Sequence, residues 1–302
     1  MIDKVFVITA LRTDFIDKML ETLYKFTPQD FKVVLVDQTL KGLPDLKGVH
    51  LKLRPHRNLG FAKAMNEGML HAKHWNSKYI CCFNDDIEFI SNRWWDGIME
   101  TFEMESGNEI LAVNLESVRI PMWGYGLPPD KFVELIDYKE NFTDEDYNFL
   151  LAGDFKHLEA KYDWLPDSFP RTYVGVCDAI AAWGVVFKRK ALDIIGLWDE
   201  RFYPGGAEDY DYCGRVYSKN YRAVSTRKSW VWHHWGQSKD EGKKIAEQGL
   251  PIDQKLIWQD LNYLYPPDWN EGKNFDVWGY YTNDRGERKP LKRQQEVGII
   301  EI

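Results

Sequence analysis

The sequence predicts an α/β fold: a mostly parallel central sheet flanked by helices. Three observations carry this. Short apolar runs rich in β-branched residues, VFVIT (5–9), VVLVD (33–37), YICCF (79–83) and ILAVN (110–114), recur along the N-terminal part of the chain. Between them lie segments whose apolar residues repeat at helical spacing. The length, 302 residues, suits one large α/β domain or such a domain with an appendage. Strands alternating with helices build βαβ units, and those units give a parallel sheet.

The elements follow in order. VFVIT is the first strand. Helix 13–26 comes next, with Phe15, Ile16, Met19, Leu20 and Leu23 on one apolar stripe and Thr13 or Asp14 as its cap. VVLVD is a second buried strand, and VHLKL (49–53) a third. In the segment 57–75, Phe61, Ala64, Met65, Gly68, Met69 and Ala72 make a core-facing helical stripe. YICCF and ILAVN are further buried strands. From about 120 to 172 the pattern degrades, and prolines 121, 128, 129, 166 and 170 punctuate it. Loops this long inside a compact domain are usually functional. Short helices are expected at 129–138 and 144–153. Regular structure returns at 182–192 and runs to 222–234. Residues 252–265 read as one more helix before a polar tail. The expected organisation is a domain over 1–238, with an inserted acceptor-side region at 120–172 and a C-terminal helical extension at 239–302.

Composition excludes some classes. The net charge of -8 argues against a broad nucleic-acid footprint, which needs basic surface. The basic run 285–293 reads as a solvated tail. No apolar run is long enough to span a bilayer, and the N-terminus is a poor signal peptide, so a soluble, cytoplasmic protein is expected. The four cysteines, Cys81, Cys82, Cys177 and Cys213, form no CxxC pair and read as buried thiols. The 13 Trp suit stacking on sugar rings as well as ordinary packing.

Three clusters could carry chemistry, and each has a plainer reading. Asn84, Asp85 and Asp86 end a buried strand, where ligands of such sheets gather. Adjacent carboxylates there suit Mg²⁺ or Mn²⁺, or else a turn in which an Asp caps the next element. The segment GGAEDYD puts Glu208, Asp209 and Asp211 after two glycines, at a helix start. One of these carboxylates could be a general base, although acidic residues in a first helical turn need no function. His233 and His234 follow a β-rich run and suit metal ligation or packing.

The order of these clusters resembles that of the family-2-like glycosyltransferases with the GT-A fold, in particular the rhamnosyltransferase-like branch. VVLVDQT matches the strand whose Asp contacts the nucleotide base, giving Asp37. NLGFAKAMNEG matches N-x-G-F-A-x-A-x-N-x-G at Asn58, Gly60, Phe61, Ala62, Ala64, Asn66 and Gly68. NDD takes the DxD position, with Asp86 on the metal side. GLWDERFYPGGAEDYDYCGR matches G-x-F-D-E-x-F…E-D-x-D-x-C-x-R, with Trp198 where Phe is usual, and His233, His234, Gly236 and Ser238 match H-H-x-G-x-S. The resemblance spans about 5–238.

That resemblance implies a metal-dependent, inverting transfer of a hexosyl or deoxyhexosyl group from a UDP-, dTDP- or GDP-sugar to a glycan or other hydroxyl acceptor. Nucleotide-sugar contacts are implied for Thr9, Arg12, Asp37, Asn58, Gly60, Asn66, Asn84, Asp85 and Asp86. Asp86, His233 and His234 would hold Mn²⁺ or Mg²⁺. Asp209, with Glu208 beside it, is the implied catalytic pair, and Trp183 and Asp211 are candidates on the acceptor side. Peripheral membrane association and oligomeric state are left open. A nucleotidyltransferase normally shows a Gly-rich phosphate loop after its first strand, and VITALRTDF has no glycine. A non-catalytic carbohydrate-binding protein on the same fold is the rival outside enzymes.

Overall fold

The computed structural model of the protein describes residues 2–104, 108–117, 143–152, 176–177, 180–202, 205, 208–234, 275–276, 280–282 and 288–290. The first βα units are β1 (Lys4–Ala10), α1 (Ile16–Phe26), β2 (Phe31–Asp37), β3 (Leu51–Leu53), α2 (Phe61–His74) and β4 (Tyr79–Asn84). Next come β5 (Ile87–Phe89), α3 (Trp94–Phe102), β6 (Ile110–Ser117) and α4 (Asp144–Ala152). They are followed by β7 (Val176–Cys177), β8 (Gly184–Lys188), α5 (Lys190–Ile194), α6 (Glu208–Ser218) and β9 (Arg222–His233).

One sheet orders its strands β3-β2-β1-β4-β8-β6-β9-β5, with β7 against β9. Strands β1, β2, β3, β4, β6 and β9 run one way, and β5, β7 and β8 the other. The sheet is therefore mostly parallel, as expected. Successive side chains of a strand point to opposite faces, and β1 shows the consequence. Phe6 and Ile8 join one apolar layer with Met19 and Leu23 of α1 and Trp94 and Ile98 of α3. Val5 and Val7 join the other with Met65 and Met69 of α2 and Tyr212 and Val216 of α6. The same alternation sends Cys81 to the first layer and Cys82 to the second; both are free thiols.

Several local expectations shift. The cap of α1 is Phe15, with no side-chain hydrogen bond, because Asp14 is engaged by Arg12 through Nε at 3.1 Å. The third strand is shorter than 49–53. The sequence reading has no counterpart for β5 or α3. Helix α4 forms as expected, and Thr143 and Asp146 bond reciprocally at its start (2.7 Å and 3.3 Å). The helices expected at 129–138 and 252–265 lie outside the described residues. Within the C-terminal part, the described residues form a small antiparallel sheet, β10 (Phe275–Asp276), β11 (Tyr280–Thr282) and β12 (Arg288–Pro290). Among the described residues no helix is long and apolar enough to cross a membrane.

Helix α3 crosses β9 at Gly97, where an added Cβ would overlap the Lys228 carbonyl. Alanine would favour the helix by about 1 kcal/mol. Overpacking against rigid backbone costs about 1–3 kcal/mol or more, so it wins. Gly97→Ala is expected to lower the melting temperature by several degrees, read by circular dichroism.

Candidate active site

The parallel strands β1, β2, β4, β6 and β9 bring their carboxyl ends to one rim. The registers align Ala10 with Asp37, Thr9 with Asn84, and Ser117 with Val231. Strand β8 runs the other way and starts at this rim, so Phe83 faces Gly184 and Trp183 stands beside Asn84. The Asn84 N–H donates to the Trp183 carbonyl at 2.9 Å.

The adjacent aspartates do different work. Asp85 turns toward β1, and its Oδ2 accepts from the N–H groups of Leu11 (3.1 Å) and Arg12 (3.2 Å). Burial, and then the charge of Asp86, push Asp85 up to about 7, against those two donors. Asp86 turns the other way, and its Oδ1 lies 3.2 Å from His233 Nε2. Burial alone would raise the Asp86 carboxyl, yet the imidazoles of His233 and His234 bring it below the ordinary range.

The two histidines also part. His233, the last residue of β9, faces Asp86 and stacks on Trp183, ring centroids 4.6 Å apart and planes 19° from parallel. His234 places its Nε2 2.7 Å from Glu88 Oε1, and its ring lies 4.9 Å from that of Phe15. His234 was expected on the metal with Asp86; its described side-chain partner is Glu88. Trp183 was expected under the acceptor; it backs His233.

On the opposite flank, Asp37 is fully buried. It accepts from Thr39 Oγ1 (2.6 Å), Thr39 N (3.0 Å) and Leu43 N (2.7 Å), and pairs with Arg54 Nη1 at 2.9 Å. Burial opposes its ionisation, but these partners hold it below the usual carboxylate range. Asn58 Oδ1 accepts from Gly60 N at 2.7 Å, and Gly60, at φ +75°, opens α2 in a conformation that suits glycine. Asn66, expected on base or ribose, is buried, and its amide pairs with the main chain of Trp198 in both directions (2.8 Å and 3.0 Å). Gly68, part of the matched motif, sits where α2 crosses β1, since a Cβ there would meet Val7.

Helix α6 starts at the same rim, because β9 begins at the far end directly after it. The glycine before it, Gly205, lies against Phe61 at the start of α2. Tyr212, Cys213 and Val216 pack into the core from α6. Asp209 lies three and four residues before Tyr212 and Cys213, so it continues that face one turn higher, at the rim. It is half-buried, whereas Glu208 is 5% exposed. Asp211, expected on the acceptor side, accepts from Arg215 Nε at 2.9 Å. Arg215 in turn donates to the carbonyls of Ile195 (2.8 Å) and Leu197 (2.9 Å).

Sequence reasoning missed Glu88 and Asn114. Asn114 bonds the Gly184 carbonyl, the Ala181 N–H (3.1 Å) and Ser225 Oγ (3.1 Å), and so fixes the segment that carries Trp183. Its signal was a lone polar residue after the apolar run ILAV, within β6.

Among the described residues, no three His, Cys, Asp or Glu side chains gather as a metal-binding group. The pair Asp86–His233 nonetheless fits a divalent cation. Mg²⁺ and Mn²⁺ take one or two protein ligands and complete their shell with phosphate oxygens and water. Neighbouring ligands on an octahedron with bonds of about 2.1 Å lie about 3 Å apart. The observed separation is 3.2 Å, and Asp86 Oδ1 is buried beside the imidazole.

Residues 4–118 match the family model of glycosyl transferase family 2. No curated protein matches the chain. Among solved structures, GalNAc-T7 with UDP, GalNAc and Mn²⁺ aligns with a TM-score of 0.50 at 14% identity, over 76% of this chain and 43% of that one. A mannosyltransferase from Pyrobaculum calidifontis in complex with GDP-Man and Mn²⁺ aligns at a TM-score of 0.45 and 15% identity, over 80% and 60%. S. aureus TarS 1-349 aligns at 0.43 and 15%, over 80% and 64%. The chain thus spans less than two thirds of each of these structures. Its fold is that of the GT-A glycosyltransferases, and the family match does not specify a rhamnosyltransferase-like branch.

Proposed function

We propose, from the match of residues 4–118 to the family 2 glycosyltransferase model, that the chain is a metal-dependent, inverting glycosyltransferase. The donor is a nucleoside-diphosphate sugar, and the acceptor presents a hydroxyl. The observation that carries this reading is the Asp86–His233 pair at the carboxyl rim, 3.2 Å apart and buried.

Asp86 and His233 would hold the cation, which supplies charge to a leaving diphosphate. Asp85 ties the turn that carries Asp86 to the main chain after β1, so the ligand arrives preorganised. The loop braced by Asp37 and Arg54, with Asn58 and the bare backbone of Gly60, forms the nucleotide side. Asn66 acts at one remove, pinning α2 to the segment before α6. Asp209 accepts the proton of the acceptor hydroxyl. As that O–H breaks, the acceptor oxygen bonds the anomeric carbon, and the bond from that carbon to the diphosphate oxygen breaks with inversion. Glu208, beside Asp209, orients the acceptor.

A panel of UDP-, dTDP- and GDP-sugars with Mn²⁺, read by release of the nucleoside diphosphate, tests the reading. At least one donor should turn over, faster with an acceptor than without, and chelation should abolish release. No release from any donor across a broad acceptor set would favour the carbohydrate-binding alternative.

A further inference from the structure

Two side chains form the candidate cation pair, and they come from strands nearly 150 positions apart in the chain. Asp86 precedes β5, and His233 ends β9. Strands β5 and β9 pair antiparallel, with Ile87 opposite His233 and Glu88 opposite Trp232. One more main-chain bond, His234 N to Asp86 O at 2.9 Å, extends that ladder past its last pair. Among the described residues that bond is the last of the ladder, and strand ends are where ladders open first.

A side-chain bond closes this end. His234 Nε2 and Glu88 Oε1 are 2.7 Å apart, and Glu88 is 4% exposed. Phe15 covers the other side of the imidazole, and the Arg12 guanidinium lies over Phe15 at 5.2 Å from its ring centre. The bond therefore links a residue two places after Asp86 to the residue after His233. It spans the same gap that the cation pair spans, between the start of β5 and the end of β9.

We propose that Glu88 is a positioning residue of the cation site: by holding His234, it fixes the two strand ends that carry Asp86 and His233 at ligand spacing. This rests on the reading of Asp86 and His233 as the cation's protein ligands. Groups that orient ligands without touching the metal typically account for 10–100-fold in metal affinity. The bond occupies His234 Nε2, one of the two ring nitrogens of that side chain.

The test measures Mn²⁺ binding to the full chain by electron paramagnetic resonance of the free ion, alongside thermal melts. Glu88→Ala is expected to weaken Mn²⁺ binding about 10–100-fold. Glu88→Gln keeps an oxygen that accepts from His234 Nε2–H and should recover most of that loss. His234→Leu removes the bond from the other side, should match Glu88→Ala, and carries the test if Glu88→Ala does not fold. The double variant should bind no worse than either single one. A merely structural role would lower the melting temperature and leave the Mn²⁺ affinity of the folded protein unchanged; that result overturns the proposal. So does a His234→Leu variant that binds as wild type. Asp86→Ala separates the two levels. If it binds Mn²⁺ as tightly as wild type, the ligand assignment itself fails. If Asp86→Ala loses binding while Glu88→Ala and His234→Leu keep it, only the role of Glu88 falls.

Discussion

Asp209→Asn should cut turnover by between about a hundredfold and ten-thousandfold, the range of a positioned general base, and should leave nucleoside diphosphate binding nearly unchanged. Asparagine keeps the shape of the side chain and cannot take up a proton. The expectation follows from where α6 puts this residue. Tyr212, Cys213 and Val216 turn one face of the helix into the core, and Asp209 continues that face by one turn, at the rim of the sheet. Glu208 is more deeply buried than Asp209. The third acid of the cluster is a control. Asp211 is held by Arg215, which braces the carbonyls of Ile195 and Leu197. Asp211→Asn should therefore lower the melting temperature and leave turnover within about tenfold of wild type. The two substitutions should have opposite signatures, read from donor turnover and thermal melts on the same samples. If Asp209→Asn stays within about tenfold, a barrier change of about 1.4 kcal/mol, Asp209 is not the base.

Much of the scaffold was legible because its signals are local. Strands β1, β2, β4 and β6 are apolar runs, and α1 and α2 carry stripes at helical spacing. What was hidden depends on distant partners. Strand β5 has only three residues, and its pairing with β9 lies far along the sequence. Glu88 falls inside it and looks, on sequence, like one more surface carboxylate. Adjacent like residues were the hardest to divide. NDD and HH each present two candidates, and only the strand geometry says which member faces which partner. The N-x-G-F-A-x-A-x-N-x-G match located the right helix, but it did not separate roles. Asn58 holds the Gly60 N–H and Gly60 turns, whereas Asn66 bonds Trp198 and Gly68 makes room for Val7. A pattern in sequence holds together residues that bind and residues that merely let a helix approach a sheet.

Asp86→Ala should abolish the contribution of Mn²⁺ to nucleoside diphosphate binding, and turnover with it. Titration calorimetry with the diphosphate, with and without Mn²⁺, should show a large gain in affinity for wild type and none for the variant. Orienting groups alone are worth 10–100-fold in metal affinity, so loss of a direct ligand should exceed that. The fold should survive, because the bond that joins β5 to the end of β9 uses the Asp86 carbonyl, not its carboxylate. Asp85 cannot substitute. Its carboxylate already serves the main chain of Leu11 and Arg12 on the other side of the turn, and leaving β1 to reach the cation would strand those donors. His233 alone offers one nitrogen, a weak anchor for a hard cation that prefers oxygen. A gain from Mn²⁺ that persists in Asp86→Ala would move the cation away from the sheet rim and remove the reason for two aspartates to stand together there.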